Sequence, residues 1–228
     1  MPVPTVKEEL RHLILRALDV RYTSESSVDK QLTGNHYQSV TLGKTRTNGF
    51  RTGRDEFFDK INFRGKRVLD LGCNLGEMSR SARNLGAAWV DGYEYDPYFV
   101  DIGRLVNVYN DVTGVAIYQG DVSDASLYRS HYDIVLAFSV WVYIMYVIEK
   151  VAAITDGVLL FETHKLENNL NVYTELIGKY FPYHHVMGYS EWGASLDTKE
   201  KRAILLFAHS QDAIDSALTT PQATKAKA

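Results

Sequence analysis

The stretch Lys66-Arg-Val-Leu-Asp-Leu-Gly-Cys-Asn-Leu-Gly76 decides the fold. Val68 to Leu71 has the apolar, partly branched character of a buried parallel strand, and it delivers Asp70 and a Gly-x-Asn-x-Gly turn to the start of a helical stretch. Gly72 and Gly76 permit a tight turn whose backbone lies close to a ligand, so the segment reads as a nucleotide-cofactor loop. The acid chooses between cofactors. The dinucleotide fingerprint seats a pyrophosphate on G-x-G-x-x-G, whereas Asp70, two residues ahead of Gly72, is suited to accept hydrogen bonds from an ammonium group. A cationic nucleotide that bears an amino acid fits better, and S-adenosylmethionine is one.

Downstream the same logic repeats. Ala87-Ala-Trp-Val-Asp-Gly-Tyr-Glu94 makes a second strand ending in an acid, 18 residues past Gly76, which is the separation a βαβ unit needs for a ribose contact. Gly114 to Tyr118 gives a third strand, followed by Gly120-Asp121-Val122, where a carboxylate is placed to accept from an adenine amino group. Asp133-Ile-Val-Leu-Ala-Phe138 gives a fourth, running into Ser139 and Tyr143. Four strand ends converge on one crevice.

On these residues the segment 64–164 resembles a class I S-adenosylmethionine-dependent methyltransferase. Asp70-x-Gly72-x-Asn74-x-Gly76 matches the family's D-x-G-x-G-x-G loop, with Asn74 in place of the middle glycine; asparagine tolerates left-handed backbone better than most residues. The order of acids also matches, with Asp70 in the loop, Glu94 after strand two and Asp121 after strand three. The resemblance implies that S-adenosyl-L-methionine lies along Asp70, Gly72, Cys73, Asn74, Gly76, Glu94, Tyr95, Asp121, Val122, Phe138, Ser139 and Tyr143. It also implies a strand order 3-2-1-4-5-7-6 with the last, inserted strand antiparallel. The cap sequences His36-Tyr37-Gln38 and Phe50-Arg51-Thr52-Gly53-Arg54, running into the first strand, are loosely similar to the wobble-uridine tRNA carboxymethyltransferase family and its small-molecule relatives. In that family a tyrosine after strand four, where Tyr143 stands, lies near the cofactor. The Gly-Cys-Asn-x-Gly turn also resembles RNA-end phosphate methyltransferases, a match too short to carry a substrate across.

Working outward, Thr5 to Arg21 places Val6, Leu10, Leu13, Ile14 and Leu18 at helical spacing and predicts an amphipathic helix in need of a surface. A polar, glycine-bearing cap follows, then a short helix over 55–61. The strands are expected at 67–71, 88–94, 114–118, 133–138, 157–163, 183–189 and 202–209, with helices over 75–86, 97–109, 123–128, 143–152 and 167–180. This alternation predicts an α/β, Rossmann-like, doubly wound seven-stranded sheet with an N-terminal helical cap. Residues 1–62 are expected to form the helix and cap, 63–210 the core, and 211–228 a disordered tail, because the apolar pattern fades before Thr-Thr-Pro-Gln-Ala-Thr-Lys-Ala-Lys-Ala.

Composition bounds the rest. The 228 residues are 45% hydrophobic, enough for one substantial core, and Cys73 is the only cysteine, so no internal disulfide forms. No signal-peptide order opens the chain, and Ile134 to Ile148 is too short for a membrane span, so a cytoplasmic protein without a membrane partner is expected. No zinc-ligand spacing appears. Residues 1–66 hold 12 Lys and Arg against 8 Asp and Glu, while 67–228 hold 13 against 20. Lys44, Arg46, Arg51 and Arg54 in the basic part are suited to a phosphate or carboxylate, but a dedicated RNA surface is usually more basic than this.

Methyl transfer from a sulfonium is an in-line displacement, and a base matters only for a hydroxyl or protonated amine. Alternation puts Glu162 and His164 on one face at the carboxyl edge of strand five, so His164 is the expected base and Glu162 its orienting partner or a substrate ligand. Tyr37, Gln38, Arg51 and Arg54 are the expected substrate contacts, and Trp141, Tyr143, Tyr146 and Trp192 are candidate walls. The reading is a methyltransferase acting on a small-molecule oxygen or nitrogen. Its rivals are an RNA-modifying methyl- or carboxymethyltransferase, a cofactor-binding relative without turnover, and a nicotinamide dehydrogenase, which fails on the glycine spacing.

Overall fold

The structure, a computed structural model, describes residues 4–24, 38–47, 49, 51–163, 170–192 and 200–218. The cap contributes α1 (Val6–Ser24), a small hairpin of β1 (Thr41–Leu42) and β2 (Thr45–Arg46), then β3 (Arg51–Thr52) and α2 (Asp55–Phe58). The alternating half runs β4 (Arg67–Leu71), α3 (Glu77–Asn84), β5 (Trp89–Glu94), α4 (Pro97–Tyr109), β6 (Val115–Gln119), a 3₁₀ turn (Ala125–Leu127), β7 (Tyr132–Phe138), α5 (Trp141–Ile144), α6 (Ile148–Ala153) and β8 (Thr155–Glu162). It ends with α7 (Leu170–Gly178), β9 (Tyr183–Trp192), β10 (Glu200–Ala208) and α8 (Gln211–Ala217).

The main sheet has the order β3-β9-β10-β8-β7-β4-β5-β6. Counted from β4 as the first strand, this is the expected 3-2-1-4-5-7-6 order with β10 inserted antiparallel to both β8 and β9. One strand of this sheet was not foreseen. Arg51 and Thr52 pair antiparallel with Trp192 and Glu191, so the segment before the core adds an eighth strand to the sheet edge.

Alternation along the central strands supplies both faces of the core. Leu69, Leu71, Val135, Ala137, Leu159, Phe161, Leu205 and Phe207 point to one side, where Trp141, Ile144, Ile148, Tyr173 and Ile177 cover them. Val68, Val90, Ile134, Leu136, Val158, Leu160, Ile204 and Leu206 point to the other, under Phe58, Met78, Ala82 and Ile214. Burial on both faces is why these strands read as continuous apolar runs. The amino-terminal helix finds its surface on α4, where Ile14 and Leu18 pack with Ile102 and Val106, while Val6 and Leu13 remain exposed.

Two expectations change. The helix expected over 143–152 is two shorter ones, because a tight turn in which the Val147 N–H donates to the Ile144 carbonyl at 2.9 Å lets Ile144, Val147, Ile148 and Val151 all reach the same core. Residues 211–217, expected to open a disordered tail, form α8 instead. Ser210 caps α8, its hydroxyl accepting from the Ala213 N–H at 3.2 Å, and Ile214 and Ala217 anchor the helix in the core. The signal was short: two apolar residues at i, i+3 in a polar heptapeptide.

Candidate active site

β4, β5, β6 and β7 present their carboxyl ends side by side, and a cavity of about 550 Å³ opens there, lined by Gly72, Asn74, Glu94, Tyr95, Asp121, Val122, Phe138, Ser139, Val140 and Tyr143. This is where open parallel sheets bind ligands, and the size suits a small organic molecule. Of the twelve expected cofactor contacts, nine line it. Val140 was missed; nothing in the local spacing marks it.

The loop after β4 is built from backbone that strains ordinary residues. Gly72 (φ +67°), Asn74 (φ +51°) and Gly76 (φ +76°) all lie in the left-handed region, as the Asn-for-Gly exchange requires. A Cβ on Gly72 would stand 2.5 Å from Val140 Cγ1, so the turn packs directly on the wall opposite. Glu94 fastens the loop: its Oε2 accepts from the Asn74 N–H at 2.8 Å and its Oε1 from the Asp96 N–H at 3.0 Å. A carboxylate has about four lone-pair sites, so two backbone donors fix its orientation and leave acceptor capacity toward the cavity. Burial raises the Glu94 carboxyl above its ordinary range, opposed by those same backbone bonds. Asp121 turns one oxygen back on its own loop, Oδ1 accepting from the Ser123 N–H at 2.8 Å and from its hydroxyl at 2.7 Å. Asn74 Oδ1 is buried without a hydrogen-bond partner, an atom that a donor on a bound ligand would satisfy. A carboxylate with spare acceptors, a second carboxylate and an orphaned amide oxygen around one cavity fit a nucleoside bearing hydroxyls, an amino group and an ammonium.

The other three expected contacts lie behind the loop. Asp70 is 2% exposed, and its Oδ2 accepts from the Ser79 hydroxyl at 2.6 Å. Burial pushes its carboxyl up to about 6, against the lowering pull of that bond and of the Arg54 charge. Asp70 therefore sits below the turn and is not among the residues that line the cavity. Cys73 is buried against Gly92, its thiol pushed up by burial, and Gly76 caps α3 against Ile117.

The expected catalytic and substrate residues separate. His164 and Tyr37 lie outside the described residues, and of Arg51 only the strand position is described. Glu162 is 0% exposed and does not line the cavity. Its carboxylate accepts from both Arg54 Nε (3.0 Å) and Arg54 Nη2, from the Ser139 hydroxyl and from the Ser190 hydroxyl (2.6 Å). Arg202 joins them, Nη1 donating to Ser139 Oγ at 2.9 Å. Arg54, expected at a substrate, is instead one of the buried arms of this cluster. Arg46 pairs with Asp55 at 2.9 Å. Gln38 is buried, with Oε1 lacking a hydrogen-bond partner, and is not among the cavity residues. Trp141 packs edge-on to Phe161 and Tyr173, whereas Tyr143 and Tyr146 are exposed and Tyr143 reaches the cavity. The one hint of the cluster in the sequence is Arg202, a charge set directly against the apolar run Ala203 to Ala208 of β10. Among the described residues no group of three or more His, Cys, Asp and Glu is placed to hold a metal, and no helix is long and apolar enough to cross a membrane.

The model of a family described as a methyltransferase domain matches residues 42–199. Two ribosomal protein L11 methyltransferases match in sequence. That of Deinococcus radiodurans is 33% identical over 86 residues, 36% of this chain and 32% of the relative. That of Acetivibrio thermocellus is 29% identical over 138 residues, 60% of this chain and 44% of the relative. The chain thus spans less than half the length of these relatives. Among solved structures, YcgJ from Bacillus subtilis superposes with a TM-score of 0.58 at 12% identity, over 68% of this chain and 97% of that one. The precorrin-6y C5,15-methyltransferase from Geobacter metallireducens gives 0.54 at 14% identity, over 68% and 87%. SMU.776, solved in complex with SAH, gives 0.54 at 15% identity, over 68% and 48%. At these identities the structural likeness is one of fold.

Proposed function

Because the chain belongs to the class I S-adenosylmethionine-dependent methyltransferases, we propose that it transfers the methyl group of that cofactor to an oxygen or nitrogen of a small-molecule acceptor. One observation carries the reading: the cavity at the carboxyl ends of β4, β5 and β7 holds a Glu94 already oriented by two backbone donors. In this reading Glu94 takes the ribose hydroxyls and Asp121 the adenine amino group, with Tyr95 and Val122 beside the base. Gly72 and Asn74 border the amino-acid arm. Phe138, Ser139 and Tyr143, with Val140, complete the wall around the cofactor. The bound cofactor supplies a methyl carbon made electrophilic by the sulfonium. The chain's own work is to align that carbon with the acceptor and keep water out, which supplies much of the acceleration of a displacement. His164 is the proposed base where the acceptor is a hydroxyl or a protonated amine.

The matches to ribosomal protein L11 methyltransferases favour a second reading, in which the acceptor is a group on a protein. One experiment separates the two. Calorimetric titration with S-adenosylmethionine, with NADH as the control, is followed by incubation with methyl-labelled cofactor and either a metabolite extract, ribosomal proteins or total RNA. The first reading expects cofactor binding and label in the metabolite fraction. Label in protein selects the second, and label in RNA, lost steeply as salt is added before binding, moves the acceptor to nucleic acid. Absence of S-adenosylmethionine binding refutes both.

A further inference from the structure

The cluster behind the cavity has a role beyond burial. Ser139 follows β7 with φ +61°, a left-handed conformation that costs a serine free energy and persists only when its surroundings hold it. It is also a wall residue of the cavity, as is Phe138 before it and Val140 after it. Its hydroxyl is saturated. It donates to Glu162 and accepts from Arg54 Nη2 at 3.2 Å and Arg202 Nη1 at 2.9 Å, so it has no capacity left for substrate chemistry.

Arg54 is the member that arrives from outside the core. β3 pairs with β9, Gly53 turns in the left-handed region at φ +76°, and Arg54 enters the interior at the start of α2. There the guanidinium touches three things that define the cavity from behind. It grips Glu162 through two donors, reaches Ser139 Oγ, and lies over the Phe138 ring with Cζ 4.9 Å from the centroid. Its planar fork suits this work in a way a lysine ammonium does not. Four residues on, Phe58 of α2 serves the same wall, packing on Phe138 with ring centroids 5.7 Å apart.

We propose that Arg54 is a positioning residue for the cofactor site: carried in by the edge strand of the cap, it clamps Glu162 and Ser139 and so holds the 138–140 wall in its left-handed turn. The inference rests on the cofactor assignment above. It places the specificity of the cap in how it sets the wall, not in a contact with substrate.

The test is calorimetric affinity for S-adenosylmethionine together with thermal unfolding, on wild type, Arg54→Lys, and Arg54→Lys combined with Ser139→Gly. Arg54→Lys is expected to weaken cofactor binding about tenfold as the turn relaxes. Adding Ser139→Gly, which adopts a left-handed turn without side-chain strain, is expected to recover most of the affinity while the unfolding temperature stays lowered. A purely structural arginine gives no such split. Where Arg54→Lys does not fold, Arg54→Gln with Glu162→Gln, which leaves no buried carboxylate unpaired, replaces it in both arms. Unchanged affinity in the folded Arg54 variant, or no recovery in the glycine combination, overturns the proposal. Wild type that fails to bind the cofactor instead overturns the assignment on which it rests.

Discussion

Asp70→Asn is expected to stabilise the protein at neutral pH. The carboxyl is fully buried and is pushed from an ordinary 3.8 up to about 6, chiefly by loss of solvation. A group whose folded value is raised binds more protons in the folded than in the unfolded state between those two values, so stability falls as pH rises through the window. Working the linkage through, ionising Asp70 costs about 3 kcal/mol at pH 7.5 and roughly half as much at pH 5. Asparagine keeps an oxygen for the Ser79 hydroxyl and carries no charge to desolvate. The variant therefore gains about 3 kcal/mol at pH 7.5, roughly 6–12 °C in unfolding temperature for a chain of this size, and about half that at pH 5. Urea unfolding of both proteins at the two pH values measures the difference directly. A variant less stable than wild type at pH 7.5, or a gap that does not widen from pH 5 to 7.5, refutes the reasoning and means that the Arg54 charge outweighs the desolvation.

Glu94→Ala removes the carboxylate that carries the proposed ribose contact, and titration calorimetry is expected to show cofactor affinity lower by about 1–3 kcal/mol, whereas Asp70→Asn, acting from behind the loop, costs less. Equal losses in the two variants would move Asp70 back to the ligand. Ile214→Ala empties the anchor of α8 and is expected to cost about 2–4 kcal/mol in urea unfolding, where a disordered tail would cost nothing. His164→Asn is expected to lower kcat at least tenfold with KM little changed, and an unaltered kcat excludes it as the base. A Cβ on Gly157 would stand 2.3 Å from the Asp133 carbonyl oxygen on the next strand, so Gly157→Ala should destabilise by roughly 1–3 kcal/mol, read as a lowered unfolding temperature.

The parallel half of the fold was legible because its strands are buried on both faces, which writes them as apolar runs such as Val68 to Leu71 and Ile134 to Phe138. The loop was legible because left-handed backbone restricts residue choice, and Gly72, Asn74 and Gly76 carry that restriction in their identities. What the sequence hid were contacts between distant segments. Arg54 and Glu162 looked like ligands for a substrate because a charged side chain near a crevice reads the same whether it faces solvent or a partner 108 positions away. Asp70 was placed correctly in the loop, yet whether its side chain turns up toward a ligand or down toward Ser79 is a rotamer, which spacing does not encode. The two-residue strand at Arg51 and Thr52 is too short to show alternation at all.

That short edge strand has a kinetic corollary. Closing a long loop costs entropy before its contacts give anything back, so the pairing that seats Arg54 falls late in folding, after the local βα units have collapsed. The expected order is a hydrophobic interior assembled first and the wall at Ser139 set afterwards. Refolding followed by tryptophan fluorescence and refolding followed by recovery of nucleotide binding should then run at different rates, the second trailing the first.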